Sequence, residues 1–195
     1  MNKLIVAIVG GVIVIGGGVY FVTKGSDDKP ATGQSQTVAT GSDVLVAVDA
    51  CDVLTDSVAT QVLGAGATKG DTSAGNASSA DVTVSNCAYT LKSTTGGSAL
   101  AQVQGTHAAG LLVRAAKSQT GADSNKAQFG SAKPSGVEDV SGYGDKAYWN
   151  PQFGQLNILK NGNWYILTNY VGTNPTKGTL DQAKQLADAL KGNLK

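Results

Sequence analysis

An uncharged apolar block near the N-terminal end constrains this chain more than any other feature. Residues 4–23 read LIVAIVGGVIVIGGGVYFVT and lie between Lys3 and Lys24. At a helical rise of 1.5 Å per residue, a block of this length spans about 30 Å, which is the thickness of a bilayer's hydrocarbon core. We therefore predict one transmembrane helix within an N-terminal anchor that comprises residues 1–24.

A cleaved signal peptide is the alternative interpretation of this block. Signal peptides have an apolar region of about 7 to 15 residues followed by a small-residue cleavage site. Here Tyr20 and Phe21 stand at the end of the block, where aromatic residues anchor a helix at the membrane interface. We favour an uncleaved anchor, and cleavage by signal peptidase remains the competing interpretation.

The orientation of the anchor depends on the rest of the chain. The positive-inside rule gives nearly a tie, because Lys3 and the α-amino group oppose Lys24 and Lys29. The remainder contains two cysteines and is rich in Ser, Thr, Asn and Gly, which fits an oxidising exterior. We therefore expect a single-pass protein of the cell membrane with a cytoplasmic N-terminus and an extracytoplasmic C-terminal domain.

Composition separates a tether from a domain in the part that follows the anchor. Residues 25–42 read GSDDKPATGQSQTVATGS, a run without apolar periodicity that is typical of a flexible Gly/Ser/Thr tether. Residues 43–195 have the length of one ordinary domain with its own hydrophobic core. We predict that they form one extracytoplasmic domain.

Charge and side-chain chemistry exclude several classes of function. The formal net charge of +1 argues against a nucleic-acid-binding surface, which needs clustered Lys and Arg. The chain has a single histidine, His107, and a single glutamate, Glu138, so most metal sites and acid/base constellations cannot be built. No nucleophile elbow accompanies His107, and a hydrolase that uses it is the least favoured hypothesis. We predict no catalytic residue, no metal site and no cofactor.

Hydrophobic periodicity predicts the first half of the domain as alternating short elements. A short strand over residues 44–48 is followed by a helix that is capped by Thr55 and stopped by Gly64. Residues 65–80 read as a mobile loop, and residues 81–93 alternate like a half-buried strand. We expect a second strand at residues 98–105 and a helix at 106–118 that carries Leu111, Leu112 and Ala115.

The second half of the domain contains the clearest local signal. After a long polar loop at residues 119–141 and a strand at 145–149, Asn161 and Gly162 separate two apolar runs and predict a type I′ hairpin. The register then pairs Ile158 with Tyr165 and Leu156 with Leu167 on one side of the hairpin, and Leu159 with Trp164 and Asn157 with Ile166 on the other. A final helix begins after Thr179, which forms a capping box with Gln182. The pattern predicts an α+β fold, with two or three helices packed on one face of a mainly antiparallel sheet.

The two cysteines, Cys51 and Cys87, are 36 positions apart. An even number of cysteines in an extracytoplasmic domain indicates a disulfide, worth about 4 kcal/mol by the loop-entropy estimate. No Cys-x-x-Cys motif supports a redox-active pair, and two cysteines with one distant histidine make a poor zinc site. We predict a structural disulfide.

The aromatic residues cluster late in the chain. Seven of the eleven lie between Tyr143 and Tyr170. Packing in the centre of the sheet is the favoured explanation, because large aromatic rings are usually buried there. The alternative is a partly exposed binding surface, for which Trp164, Tyr170 and Trp149 are the ligand-facing candidates.

Several short motifs resemble a known group of proteins. The segments VAVDACDVLTDSVATQVLG, VSNCAYTL and VSGYGDKAYW, with the terminal DQAKQLADAL, are similar to small secreted or lipid-anchored envelope domains of actinobacteria, in families of unknown function. The resemblance covers roughly residues 45–192. It implies that Cys51 and Cys87 are paired and that Gly142, Gly144, Asp145 and Ala147 form a segment entering a strand; it implies no catalytic residue. The chain departs from the group because no lipid-modified cysteine follows its apolar block.

These observations favour a membrane-anchored, non-catalytic binding or sensor module at the cell envelope. We expect the membrane as one partner, through the N-terminal helix, and a cell-wall, glycan or protein ligand as another, but no nucleic acid. The alternative is a structural or assembly subunit of a pilin-like surface structure. The apolar block contains no glutamate and ends in GSDDKP, which argues against that alternative.

Overall fold

The structure is a computed structural model that describes residues 13–15, 18–20, 45, 47–72, 75–92, 106–172 and 178–195. The chain divides into two units, residues 1–43 and residues 44–195. Strands β1 (Ile13–Ile15) and β2 (Gly18–Tyr20) pair antiparallel in the first unit. They lie within the predicted anchor, whose other residues are outside the described ones, as is the predicted tether. Among the described residues, none belongs to a helix long and apolar enough to cross a membrane.

In its described residues, the second unit is built on one antiparallel sheet of seven strands. The strands are β3 (Thr68–Lys69), β4 (Ala77–Ser78), β5 (Val82–Lys92), β6 (Thr106–Ala116), β7 (Lys146–Asn150), β8 (Gln155–Lys160) and β9 (Asn163–Gly172). Their order in the sheet is β3-β5-β6-β9-β8-β7, with β4 also paired to β5. The helices of the described residues are α1 (Ala50–Val53), α2 (Asp56–Leu63), α3 (Gln119–Ala132) and α4 (Leu180–Leu190). The α+β class with a mainly antiparallel sheet is therefore confirmed.

The predicted hairpin is confirmed in position and register. Lys160 pairs with Asn163, and the four pairs predicted between β8 and β9 are present. Asn161 and Gly162 have φ values of 49° and 76°, the positive values that a type I′ turn requires at both central positions.

The predicted helix caps are also present. Thr55 Oγ1 accepts a hydrogen bond from the Val58 amide at 3.4 Å, so α2 begins where its sequence indicates. At the start of α4, Gln182 N donates to Thr179 Oγ1 at 3.3 Å and Thr179 N donates to Gln182 Oε1 at 2.9 Å. This reciprocal pair is the predicted capping box, which satisfies two backbone amides that the helix leaves free.

The helix predicted at residues 106–118 is wrong, because residues 106–116 form the long central strand β6. Leu111 and Leu112, expected on one helical stripe, project to opposite faces of the sheet. β6 makes eleven register pairs with β5 and nine with β9, so both edges of its backbone are hydrogen-bonded. Pairing on both sides outweighs local helical propensity. The strand predicted at 98–105 lies outside the described residues, and residues 45, 47 and 48 are not in a strand.

The long polar loop predicted at residues 119–141 is also wrong, because it contains helix α3. Ser118 caps this helix by accepting a hydrogen bond from the Gly121 amide at 3.1 Å. Its buried stripe consists of Gly121, Ala122, Asn125 and Phe129. A stripe with one large apolar residue and a buried asparagine gives a weak helical periodicity. The loop predicted at 65–80 likewise contains the two-residue strands β3 and β4.

Helices cover both faces of the sheet, whereas the sequence predicted one covered face. On the first face, α1, α2 and α4 bury a core that includes Leu54, Leu111, Ile158, Tyr165 and Leu186. On the second face, α3 places Phe129 in a smaller cluster with Tyr148, Leu159, Trp164 and Ile166. The second cluster exists because of the helix that the sequence pattern did not reveal.

Residues 142–147, which have the pattern Gly-x-Gly-Asp-x-Ala, form the entry into β7. Gly144 has a φ of 57°, and a Cβ at this position would lie 2.4 Å from the Leu159 carbonyl oxygen, so only glycine fits. The Asp145 amide donates to that same oxygen at 2.7 Å. The Asp145 carboxylate accepts from the Asn161 amide at 2.9 Å, which ties the strand entry to the hairpin turn.

Candidate binding surface

The three aromatic candidates do not lie on one surface. Side chains alternate across a strand, so Trp164 and Tyr170 of β9 project to the second face. Trp149 pairs with Leu156, which pairs with Leu167, and these residues belong to the first face. Trp149 is half-buried there against the larger core. A single binding surface made of all three rings is therefore excluded.

The structure buries Trp164, as the favoured packing explanation expects, so its alternative role as a ligand-facing candidate is corrected. Its side chain is 3% exposed, and Trp164 Nε1 donates to Asn157 Oδ1 at 3.1 Å. The Phe129 ring lies edge-on to it, with centroids 6.0 Å apart, and also contacts Tyr148 at 4.9 Å. Helix α3 carries Phe129, so the unpredicted helix is the physical reason for the burial.

Burial in this cluster predicts a fall in stability at alkaline pH. The Tyr148 side chain is 1% exposed, and burial raises its pKa from 10.0 to about 12. In the unfolded chain, the Tyr148 phenol releases its proton from pH 10 upwards, while in the folded chain it keeps the proton until about pH 12. The free energy of unfolding should therefore decrease by about 2 to 3 kcal/mol across this interval.

Urea unfolding of the native protein and of Tyr148→Phe between pH 9 and pH 12 measures this effect. The variant should show a shallower decrease. It should retain a decrease from Tyr89, whose pKa is raised to about 12 by burial and by its hydrogen bond to Asp56. If the free energy of unfolding decreased equally with pH in the two proteins, Tyr148 would not contribute to the decrease.

Tyr170 stands beside a patch of small and hydroxyl-bearing side chains on the second face. The apolar cluster beneath α3 includes the pair Leu112 and Ile166, and the next pair on this face is Gly110 with Thr168. Adjacent pairs in the register bring together six residues that we call the Tyr170 surface: Ala88, Thr90, Ala108, Gly110, Thr168 and Tyr170. Ala108 is 8% exposed and the other five are half-buried.

The centre of the Tyr170 surface lies close to the backbone of the sheet because its residues have small side chains. Thr168 Oγ1 donates to the Gly110 carbonyl oxygen at 3.4 Å, and a Cβ at Gly110 would lie 2.7 Å from that hydroxyl oxygen. Ala108 of the central strand thus lies between Thr90 on β5 and Tyr170 on β9, and Gly110 lies between Ala88 and Thr168. None of the six residues carries a charge. The surface offers hydroxyl groups, methyl groups and one phenol ring, which suit hydrogen bonding and stacking and supply no acid/base chemistry.

Sequence reasoning found Tyr170 but missed its neighbours on β5 and β6. Thr90 was placed correctly in a strand, but Ala108 and Gly110 were assigned to a helix. The available signal was the alternation in residues 107–113, where the buried Ala109, Leu111 and Val113 are separated by smaller or less buried residues. Reading that alternation as a strand would have placed Ala108 and Gly110 on the same face as Tyr170.

The two cysteines and His107, which the sequence offers as chemically reactive groups, lie within the secondary structure of the domain. The predicted disulfide joins Cys51 of α1 to Cys87 of β5, with the Cα atoms 5.0 Å apart. His107 pairs with Leu91 and Val171 within the sheet, so it does not begin a helix. In the part of the chain that the structure describes, no group of His, Cys, Asp and Glu side chains could hold a metal ion.

The second unit is thus an α+β domain with an uncharged, half-exposed surface on its sheet. The chain matches no family model, no curated protein and no solved structure. The resemblance to actinobacterial envelope domains stays a prediction.

Proposed function

We propose that this chain is a membrane-anchored, extracytoplasmic and non-catalytic binding or sensor module of the cell envelope. The observation that carries the proposal is the Tyr170 surface, an uncharged half-exposed patch on the second face of the sheet. Helices pack on the first face and on the neighbouring part of the second face. Binding sites combine apolar area with a few polar groups that fix the orientation of the ligand. Tyr170, Thr90 and Thr168 supply that combination.

The chemistry of the surface favours a neutral ligand that bears hydroxyl groups, such as a wall or envelope glycan. The phenol ring can stack on the apolar face of a sugar, and the two threonine hydroxyls can both donate and accept hydrogen bonds. A surface without charge gives no electrostatic attraction to phosphate polymers, which argues against a nucleic-acid ligand.

The proposed anchor rests on residues 4–23 of the sequence. A two-stranded pair such as β1 and β2 leaves outward backbone groups unpaired, and the hydrocarbon core of a membrane penalises each such group by several kcal/mol. A helix pairs all of these groups within the segment. We therefore propose that the segment is helical when it lies in the bilayer.

Binding of residues 43–195 to purified envelope glycan, with the disulfide intact, tests the proposed ligand. Tyr170→Ala should weaken binding about tenfold, equivalent to about 1.4 kcal/mol. Tyr143→Ala is the matched control, because Tyr143 is also a half-buried tyrosine and packs against the larger core on the opposite face of the sheet. Equal affinities for the native protein and Tyr170→Ala, or an equal loss in both variants, would contradict the assignment of the surface.

A further inference from the structure

The disulfide lies close to the point where the compact unit meets the preceding chain. The unit begins at residue 44, Cys51 follows seven residues later, and Cys87 lies in the middle of β5. We propose that the Cys51–Cys87 disulfide is a load bypass, which carries tension from the N-terminal side directly into the sheet and spares residues 52–86. This inference rests on the proposed function, because tension arises only when the N-terminal part is anchored and the domain holds a ligand.

The bypassed segment consists mostly of small elements that precede β5. It holds most of α1, all of α2, the two-residue strands β3 and β4, and the first five residues of β5. The start of α1 is fixed by a hydrogen bond from the Ala50 amide to Ser85 Oγ at 2.9 Å, and its end by one from Asn193 Nδ2 to the Val53 carbonyl oxygen at 3.0 Å. Short elements such as these open at lower free energy than a central strand.

Strand β5 is a stronger point of attachment than the short elements that precede it. It forms eleven register pairs with β6, and β6 forms nine with β9. Cys87 itself is 1% exposed and lies within the larger core. Tension that arrives at Cys87 therefore acts on a strand that is hydrogen-bonded along its length, next to the strand that forms the floor of the Tyr170 surface.

The bypass also limits how far the domain extends under tension. The Cα atoms of Cys51 and Cys87 are 5.0 Å apart in the folded unit. Without the covalent link, the 36 peptide steps between them would reach about 120 Å when fully extended. The disulfide thus keeps the reach of the module short while its ligand surface stays folded.

Single-molecule stretching of the purified full chain in detergent, with handles at its two ends, tests this inference. The chain is held at a low force at which the oxidised unit stays folded, and dithiothreitol is then added. A dithiothreitol thiolate attacks one cysteine sulfur to form a mixed disulfide; its second thiol then closes a ring, so that dithiothreitol is oxidised and both cysteines become thiols. We expect one extension step that releases about 30 residues, those between Cys51 and the start of β5, before a separate step in which the sheet unfolds with β5.

The Cys51→Ala/Cys87→Ala variant provides the second arm of the test. It should show the same two steps without dithiothreitol and no response when the reductant is added. If this variant does not fold, the reduced native chain decides. A single step that unfolds the whole unit, in the reduced native chain or in the folded variant, would overturn the proposal. The purified molecule needs neither membrane nor ligand here, so that result leaves the proposed binding function standing.

Discussion

Asn125→Leu is expected to lower the free energy of unfolding by about 4 kcal/mol. Asn125 is fully buried, with 0% of its side chain exposed. Asn125 Oδ1 accepts from Arg114 Nε at 3.1 Å, and Nδ2 donates to the carbonyl oxygens of Arg114 and Gly162, each at 2.9 Å. One amide therefore joins helix α3 to the central strand and to the hairpin turn.

The size of this effect follows from the three buried hydrogen bonds that the substitution removes. Each buried polar group without a partner costs about 1 to 3 kcal/mol, and more when the group is charged. The Arg114 side chain is only 8% exposed, and burial already lowers its pKa. Leucine would leave its Nε and two carbonyl oxygens without the hydrogen bonds that Asn125 provides.

Urea denaturation of Asn125→Leu and of Gln128→Leu measures the effect. Gln128 is on the same helix, half-buried, and its amide Nε2 donates only to Ser124 Oγ in the preceding turn, at 3.0 Å. The control should stay within about 0.5 kcal/mol of the native protein. A loss below 1 kcal/mol for Asn125→Leu would contradict the role assigned to this amide.

Removal of the disulfide by the double substitution Cys51→Ala/Cys87→Ala should lower the free energy of unfolding by about 4 kcal/mol. The link closes a loop between residues 36 positions apart, so its loss increases the conformational entropy of the unfolded chain. The core around α1 and α2 should keep the variant folded, because Ala50, Val53, Leu54 and Leu63 are all buried.

Guanidinium unfolding with and without reductant checks this expectation. The native protein should lose stability when reduced and then resemble the variant, while the variant should not respond to the reductant. A native protein that keeps its unfolding midpoint after complete reduction would show that the covalent link contributes nothing to stability.

Local signals in the sequence predict the elements that are determined by neighbouring residues. The Asn161-Gly162 turn determines the register of β8 and β9, and the pair Thr179 and Gln182 determines the start of α4. Both depend on residues within a few positions of one another, where backbone preference and side-chain hydrogen bonds act together.

Elements that depend on distant partners could not be predicted in the same way. β6 is a strand because β5 and β9 pair with its two edges, although its own Ala and Leu residues suit a helix. Helix α3 is stabilised by Asn125, whose partners lie on β6 and in the hairpin turn. A polar residue in a buried stripe resembles a surface position until its partners are known.

The candidate surface was predicted only in part for the same reason. Packing of the aromatic rings was the favoured explanation and holds for Trp164, but the helix that covers this ring was assigned to a loop, so its exposure stayed open as the alternative. Tyr170 remains half-exposed, but its neighbours Ala108 and Gly110 become visible only when β6 is placed between β5 and β9. The disulfide was predicted from the even count of cysteines together with an expected extracytoplasmic setting; the disulfide is present, and the setting stays a prediction.

Labelling of intact cells with a membrane-impermeant, amine-reactive biotin reagent tests the central claim most directly, namely that the domain lies outside the membrane and stays anchored to it. Lysines such as Lys117 and Lys126 are exposed on the domain and would react. We expect the chain to be labelled in intact cells as fully as after lysis and to sediment with the membrane fraction, while a cytoplasmic protein in the same cells is not labelled. A chain that is labelled only after lysis would contradict this claim.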